Sequence, residues 1–308
     1  MSHTEHCILI DIGGTAIKYG LTDFEGSFVE KHEIPTEAQE HGGPGIVRKV
    51  LQICKELQQT HGPLRCCAIS TAGMVDPHSG QIVYALPDAI PDYTGVNFKA
   101  LLLKECGLVC EVENDVNCAA LGELWQGAGR GLHSVFCLTV GTSIGGAMIC
   151  EGRLVSGASH SAGEIAYMRI PGGTLHQQAT TTALVRNFAQ KSGRDLHAVN
   201  GKVIFDLAEK GDALAVQAIN ELIEPLTDGI ANIISVQNPQ MVILGGGIMA
   251  RSAYLRPLIE ASLSRKIRPI VAQATQIAFA LLKNDAGMLG ALYNLRQRQG
   301  FTKNIYKA

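Results

Sequence analysis

An aspartate stands next to a short glycine-rich turn near the start of the chain. Cys7 to Ile12 is apolar enough to predict a buried strand, and Asp11 lies near its end, before Gly13, Gly14 and Thr15. Glycines allow the backbone to approach a ligand closely, and backbone N–H groups in such a turn can bind an anion. The carboxylate could hold a phosphate-bound Mg²⁺, directly or through water. An ordinary β-hairpin with a Gly-Gly turn is the alternative for this stretch alone.

A second stretch repeats this pattern. Ser134 to Val140 is apolar, Gly141 and Thr142 follow, and an apolar return strand runs to Cys150. The repetition indicates an internal duplication of one α/β unit. Two such turns from two similar domains could face each other across a cleft, and domain interfaces are favoured places for ligands.

An amide and a carboxylate follow another predicted strand. Asn114 and Asp115 come directly after Val109 to Glu113 and before a predicted helix over Val116 to Gln126. A carboxylate at hydrogen-bond distance from a hydroxyl can take its proton as an O–P bond forms, which is worth about 10²–10⁴ in rate. Asp115 therefore qualifies as a general base. The alternative role is the N-cap of the following helix, and the two roles are compatible.

Two further loops have the composition of a binding site. Gly245, Gly246 and Gly247 follow a predicted strand over Met241 to Leu244, so a flat or anionic group could approach their backbone. Thr71 to Pro77 combines a hydroxyl, small residues and an acid, which would suit a polyol. A plain turn closed by Asp-Pro explains the second loop equally well.

Composition limits the class of protein. The chain has 308 residues, 46% of them hydrophobic, enough for two domains at about 150 residues each. The net charge of −2 favours neither nucleic acid nor an anionic membrane, and no apolar run approaches the ~18 residues of a membrane span. Residues 1–6 lack the pattern of a signal peptide. The nine cysteines form no C-x-x-C pair, so we expect reduced thiols in the cytoplasm.

Strands and helices alternate along the sequence, which predicts a mostly parallel sheet in an α/β fold. Taken together, the glycine turns, the Asn-Asp pair and a later Gly-Glu pair resemble the ROK family of bacterial sugar kinases and sugar-responsive repressors. The resemblance covers Leu9 to Leu292. The stretches that carry it are Asp11–Thr15, Glu113–Ala120, Gly141–Gly146 and Gly163–Glu164.

The resemblance implies a two-domain fold of the actin- and hexokinase-like (ribonuclease H-like) class, with an interdomain cleft that closes on a sugar and ATP. We place the N-terminal domain at residues 1–115 and the larger C-terminal domain at residues 116–287. A C-terminal helix at about 288–308 would pack back on the first domain. The family also suggests a homodimer.

The implied reaction is transfer of the γ-phosphoryl of ATP to a hexose or hexoside hydroxyl, favouring the 6-hydroxyl, with Asp115 as general base. Asp11 would support Mg²⁺, through water. The residues implied at ATP are Asp11, Gly13, Gly14, Thr15, Lys18, Gly141, Thr142, Gly145 and Gly246. The residues implied at the sugar are Gly73, Asn114, Asp115, Glu164, Tyr167 and His176.

The sequence departs from the family pattern after the Gly-Glu pair. Family members commonly have a histidine and then a cysteine-rich zinc motif, but Tyr167 takes the histidine position and residues 169–179 contain no cysteine. We therefore predict no structural zinc. His176 stands where the family commonly has a second glutamate. These changes suggest a specificity other than free glucose, and a β-glucoside, with its anomeric oxygen substituted, would fit.

Rival functions explain fewer of these features. Family repressors have an N-terminal helix-turn-helix, for which a first turn at residue 13 leaves no room, so we expect no DNA binding. A sugar-binding or sensing protein that has lost catalysis is favoured by Tyr167 and His176 but opposed by the retained acids and turns. An acetate-kinase-like or chaperone-like ATPase does not account for Glu113–Asp115 together with Gly163–Glu164.

Overall fold

In the computed structural model, residues 6–300 are described, and they contain two five-stranded sheets and two small two-stranded ones. The strands are β1 (His6–Ile12), β2 (Ala16–Asp23), β3 (Phe28–Pro35), β4 (Cys66–Thr71), β5 (Met74–Asp76), β6 (Gln81–Tyr84), β7 (Val109–Asn114), β8 (Val135–Val140), β9 (Ile144–Cys150), β10 (Arg153–Leu154), β11 (Arg169–Ile170), β12 (Gly173–Thr174), β13 (Met241–Gly245) and β14 (Gln276–Phe279).

Helices follow most of these strands, and short 3-10 helices lie at 165–167, 196–198, 247–250 and 283–285. The α-helices are α1 (Ala38–His61), α2 (Phe98–Cys106), α3 (Asp115–Gln126), α4 (Leu175–Gln178), α5 (Thr181–Ser192), α6 (Gly201–Ala208), α7 (Ala213–Gln237), α8 (Ser252–Leu263), α9 (Pro269–Ala274) and α10 (Ala286–Arg298). None of these helices combines the length and apolarity that crossing a membrane requires.

The described chain divides into two compact units. Unit 1 comprises residues 6–125, 157–161 and 284–300, and unit 2 comprises residues 126–156 and 162–283. The helix predicted at about 288–308 corresponds to α10, which ends at Arg298. Residues 301–308, and residues 1–5 of the segment tested for a signal peptide, lie outside the described residues.

The two large sheets have the same topology. Unit 1 has the order β3-β2-β1-β4-β7 and unit 2 the order β10-β9-β8-β13-β14. In each, the first three strands are antiparallel neighbours and the remaining two are parallel to the third. The prediction of a mostly parallel sheet is therefore wrong, because consecutive hairpins make half of the strand pairs in each large sheet antiparallel. The internal duplication expected from the repeated strand–turn–strand pattern is therefore confirmed.

Both faces of the unit 1 sheet are buried, as is usual where strands are parallel. Ile8 and Ile10 of β1 point into the core formed with α1 and α2, while Cys7 and Leu9 point into the core that includes Leu292 of α10. This alternation is the two-residue period of a strand. In unit 2, α5 to α8 pack their apolar faces on the sheet in a single large core. None of the nine cysteines, all of which lie within the described residues, forms a disulfide, and seven of them are buried.

Helices α3 and α10 meet with no room for side chains between them. A Cβ built on Gly290 would lie 1.6 Å from the carbonyl oxygen of Cys118, and one on Gly122 would lie 2.5 Å from that of Ala286. The two backbones are therefore in direct contact. Since α3 begins at Asp115, this contact helps to fix the position of the predicted base.

We predict that Gly290→Ala lowers the free energy of unfolding by at least about 3 kcal/mol, because the added methyl group must separate two packed helices. Gly247→Ala is the matched control, since a Cβ there meets nothing within 4 Å. Urea unfolding of both variants measures the difference. Equal stability of the two variants would contradict the contact.

Candidate active site

In the first turn, residues 13–15, the carbonyl groups of Gly13 and Thr15 are hydrogen-bonded, while Gly14 and Thr15 are exposed. Gly13 N donates to Ala16 O at 3.0 Å, and Thr36 donates twice, from Oγ1 to Gly13 O at 2.7 Å and from N to Thr15 O at 2.9 Å. The N–H groups of Gly14 and Thr15, both exposed, donate to no acceptor within residues 6–300. Two adjacent N–H groups in this arrangement suit an anion.

The second turn, residues 141–143, is built in the same way. Gly141 N donates to Ser143 O at 2.8 Å, while Thr181 N donates to Gly141 O at 2.9 Å and Thr182 Oγ1 donates to Thr142 O at 3.0 Å. The exposed N–H groups of Thr142 and Ser143 donate to no acceptor in the described part of the chain. Each unit therefore has a turn whose carbonyls are bonded to threonines and whose N–H groups remain available.

Asp11 is held tightly beside the first turn. Its Oδ1 accepts a hydrogen bond of 2.6 Å from Ser70 Oγ, and a Cβ on Gly287 would lie only 2.8 Å from that oxygen. Burial raises the pKa of the Asp11 carboxyl, against the opposing effects of the Ser70 hydrogen bond and of Lys18, its cross-strand partner.

The surroundings of Asp11 fit a divalent cation. An acid whose ionised form is disfavoured by burial gains from a nearby positive charge, and Mg²⁺ takes carboxylate, phosphate and water oxygens. The carboxylate stands at the end of β1, directly before the first turn. Mg²⁺ bound to phosphates at that turn would thus have Asp11 as its protein partner.

Asn114 holds Asp115 in place. Its Oδ1 accepts from the N–H groups of Val116 at 2.9 Å and Asn117 at 3.1 Å, and its Nδ2 donates to Gly73 O and Asp115 Oδ1, both at 3.0 Å. All four hydrogen-bonding positions of the amide are used. Asn114 therefore caps α3. Asp115 Oδ1 also accepts a hydrogen bond of 2.9 Å from Val116 N. A sugar contact by Asn114 would need one of these bonds to be exchanged.

Glu113 supports this pair from below the surface. The buried carboxylate accepts at Oε1 from Asn114 N at 2.8 Å and from Asn117 Nδ2 at 2.9 Å, and burial raises the pKa of Glu113. Its geometry assigns it a positioning role. In the sequence, Glu113 stands out only as part of the Glu113–Ala120 motif.

The loop that carries Glu164 depends on two glycines. Gly163 has a φ of +92°, and a Cβ there would lie 2.3 Å from the carbonyl oxygen of Gly146 on β9. Only glycine allows this approach. Glu164 precedes the 3-10 helix that ends at Tyr167, and desolvation raises the pKa of Glu164. Tyr167 is 72% exposed.

Gly246 lies against the strand that leads to the second turn. Its φ is +101°, and a Cβ there would lie 2.1 Å from the carbonyl oxygen of Val140. The glycine run is therefore adjacent to Gly141. Gly145, by contrast, is a β9 residue paired with Thr139.

Packing orders the segment where the family commonly has zinc. Thr174 and Gln177 form a capping box at α4, and fully buried Leu175 lies so close to α7 that a Cβ on Gly229 would be 2.6 Å from its Cδ1. Among residues 6–300, no group of three or more His, Cys, Asp or Glu side chains is arranged to hold a metal ion. His176 Nδ1 lies 3.0 Å from Ser143 Oγ of the second turn.

Several residues of the site were not identified from the sequence. Thr36, Ser70 and Gly287 lie far along the chain from the groups they contact and belong to no predicted motif. Within unit 1, the structure does bring together Gly73, Asn114 and Asp115, and it pairs Asp11 with Lys18. Within unit 2, it joins His176 to the second turn.

Two α/β units of the same sheet topology, each with a turn that exposes two adjacent N–H groups, define a protein of the actin- and hexokinase-like class. The chain belongs to the ROK family, whose model matches residues 7–298. The family and the fold class expected from the sequence are thus confirmed.

Known relatives cover nearly the whole chain. An uncharacterised protein of Clostridium perfringens is 48% identical over 289 residues, which are 94% of this chain and 97% of that protein. A β-glucoside kinase of Listeria monocytogenes is 33% identical over 297 residues, 94% and 97% of the two chains. The structure of a ROK family glucokinase from Streptomyces griseus, in complex with glucose and AMPPNP, matches with a TM-score of 0.79, 29% identity and coverage of 95% and 99%.

We predict that Asp11→Asn stabilises the fold at neutral pH. Because burial raises the pKa of Asp11 in the folded state, ionisation lowers stability once pH exceeds the unfolded pKa, and asparagine removes this cost while still accepting from Ser70. The stability gain should be absent below the unfolded value of about 3.9, should grow as pH rises toward the folded pKa, and should be complete above it. Urea unfolding across this range measures it, and a loss of stability equal at every pH would contradict it.

We also predict that chelation leaves the fold intact. Dialysis against EDTA should not change the melting temperature, because Leu175 packing orders the α4 segment. Leu175→Ala should instead lower the free energy of unfolding by about 2–5 kcal/mol. A fall in melting temperature after EDTA, restored by Zn²⁺, would contradict this prediction.

Proposed function

We propose that this chain, a sugar kinase of the ROK family, transfers the γ-phosphoryl of ATP to the 6-hydroxyl of a hexose or hexoside, with Asp115 as general base. The observation that carries the proposal is the fixed carboxylate of Asp115, whose Oδ1 accepts from both Asn114 Nδ2 and Val116 N. A carboxylate of fixed orientation can accept the hydroxyl proton as the O–P bond forms.

Phosphoryl transfer otherwise depends on positioning and on neutralising charge. We assign the phosphates of ATP to the available N–H groups of the two turns. Threonines donate hydrogen bonds to carbonyl groups of the same turns. Mg²⁺, when bound with the nucleotide, supplies positive charge to the phosphoryl oxygens. Asp11 is its proposed protein partner, through water, and Gly246 is the proposed border of the adenosine.

We propose a β-glucoside as the preferred substrate class. Relatives at 32–33% identity are named β-glucoside kinases, and exposed Tyr167 offers an aromatic face and a hydroxyl to a sugar. Glu164 is the proposed carboxylate contact to the sugar. We further propose a homodimer without zinc in the reducing cytoplasm, which suits cysteines that form no disulfide within the described residues.

We predict that Asp115→Asn lowers kcat by about 10²–10⁴-fold, because the hydroxyl proton loses its acceptor, while sugar affinity is largely kept. Asp88→Asn, at an exposed loop position of unit 1, is the matched control and should leave kcat unchanged. ADP release coupled to a chromogenic reaction measures kcat, and calorimetry measures sugar binding.

Two outcomes would overturn this proposal. Full activity in Asp115→Asn would exclude the carboxylate as the base. Absence of turnover on a panel of β-glucosides, free hexoses and N-acetylhexosamines, with sugar binding intact, would favour the sensing protein instead.

A further inference from the structure

His176 projects from a well-anchored helix toward the second turn. Its backbone O accepts from Thr180 Oγ1 at 3.1 Å, and α4 is held by its capping box and by buried Leu175. The imidazole is exposed, and its Nδ1 lies at hydrogen-bond distance, 3.0 Å, from Ser143 Oγ. The anchored helix α4 therefore positions the His176 ring beside the exposed hydroxyl of Ser143.

The segment from His176 to Thr182 bonds to every residue of the second turn. Thr181 bonds the carbonyl of Gly141, Thr182 bonds that of Thr142, and His176 bonds the hydroxyl of Ser143. The first two contacts occupy carbonyl groups. The third is different in kind, because it orients a side chain that has a proton of its own to donate.

The direction of this bond decides what the hydroxyl can do. A serine hydroxyl has one proton and two lone pairs, and a histidine ring nitrogen either donates or accepts. If Nδ1–H donates to Oγ, the serine proton is left for a phosphate oxygen. An anion at the turn favours this arrangement, because the anion accepts a hydrogen bond from the Ser143 hydroxyl.

We infer that His176 and Ser143 form a phosphate-binding element of the nucleotide site. Nδ1–H of His176 donates to Ser143 Oγ, and the Ser143 hydroxyl donates to a phosphate oxygen beside the N–H groups of Thr142 and Ser143. His176 is thus a positioning residue for ATP. This inference rests on the proposed assignment of ATP phosphates to the second turn, and it differs from the sugar contact that the resemblance implies for His176.

Two amide substitutions separate the phosphate role from the sugar role. Asparagine places its amide near the position of imidazole Nδ1, whereas glutamine places it near the position of Nε2. If Nδ1 matters through Ser143, His176→Asn keeps the function and His176→Gln loses it. If Nε2 contacts the sugar, the order reverses.

The experiment measures KM for ATP and for the sugar, and dissociation constants for MgAMPPNP and adenosine, by calorimetry. His176→Gln and Ser143→Ala should each raise KM for ATP and the MgAMPPNP dissociation constant by about tenfold or more, the value of a hydrogen bond to a charged group. His176→Asn should stay near wild type. Affinity for adenosine, which has no phosphate, should not change in any variant.

The double variant His176→Gln, Ser143→Ala should bind MgAMPPNP no more weakly than Ser143→Ala alone, because the two residues act as one element. Ser143→Ala removes only an exposed hydroxyl, so it carries the test even if a His176 variant has a lowered melting temperature.

Unchanged nucleotide affinity in Ser143→Ala, or a raised KM for the sugar alone in His176→Asn with His176→Gln near wild type, would overturn the inference and leave the kinase proposal standing. Absence of sugar phosphorylation by the wild-type chain, with the loss of MgAMPPNP affinity in Ser143→Ala retained, would overturn the kinase proposal and support the inference.

Discussion

A turn that binds an anion needs hydrogen bonds to its carbonyl groups and N–H groups that remain available for the anion. This constraint applies to the turn proposed to bind phosphate in each unit. In unit 1, Thr36 alone bonds the carbonyls of Gly13 and Thr15. In unit 2, Thr181 and Thr182 divide the same task at the start of α5. The supporting threonines come from a strand–helix connection in one unit and from a helix N-terminus in the other. The same electrostatic requirement has thus been met twice by different local structure.

Close backbone and side-chain contacts fix the positions of Asp11 and Asp115 in unit 1. The direct backbone contact of α3 with α10 at Gly290 places the helix that begins at Asp115, and Gly287 of α10 closes on the Asp11 carboxylate. Burial raises the pKa of both Asp11 and Glu113. Burial therefore makes the ionised form of each carboxyl costly to the folded state, and such costs are typical of functional sites. In this unit, the proposed partner of Mg²⁺ and a positioning residue both lie where the fold disfavours their charge.

The features of this protein that could be predicted from its sequence arise from local patterns, whereas contacts between residues far apart in the sequence could not be predicted. The duplicated sheet followed from two similar strand–turn–strand stretches, and the confirmed fold class followed from motifs a few residues long. Thr36, Ser70 and Gly287 could not be predicted, because each contacts its partner across a long separation in sequence and leaves no periodic signal. The same holds for residues 157–161, which pack with unit 1 although both flanks belong to unit 2. The sequence analysis placed His176 at the sugar, in the position where the family commonly has a glutamate, and its bond to Ser143 became visible only when the structure placed α4 beside the second turn.

Identification of the reaction product tests the central claim most directly. Wild-type protein is incubated with Mg²⁺, ATP and a methyl β-glucoside, with free glucose in parallel, and the products are followed by phosphorus NMR. We expect ADP and a phosphate monoester to form in equal amounts, with the ester phosphorus coupled to the two protons of a sugar methylene group. ADP formed together with inorganic phosphate and no ester, on every sugar tested, would contradict it.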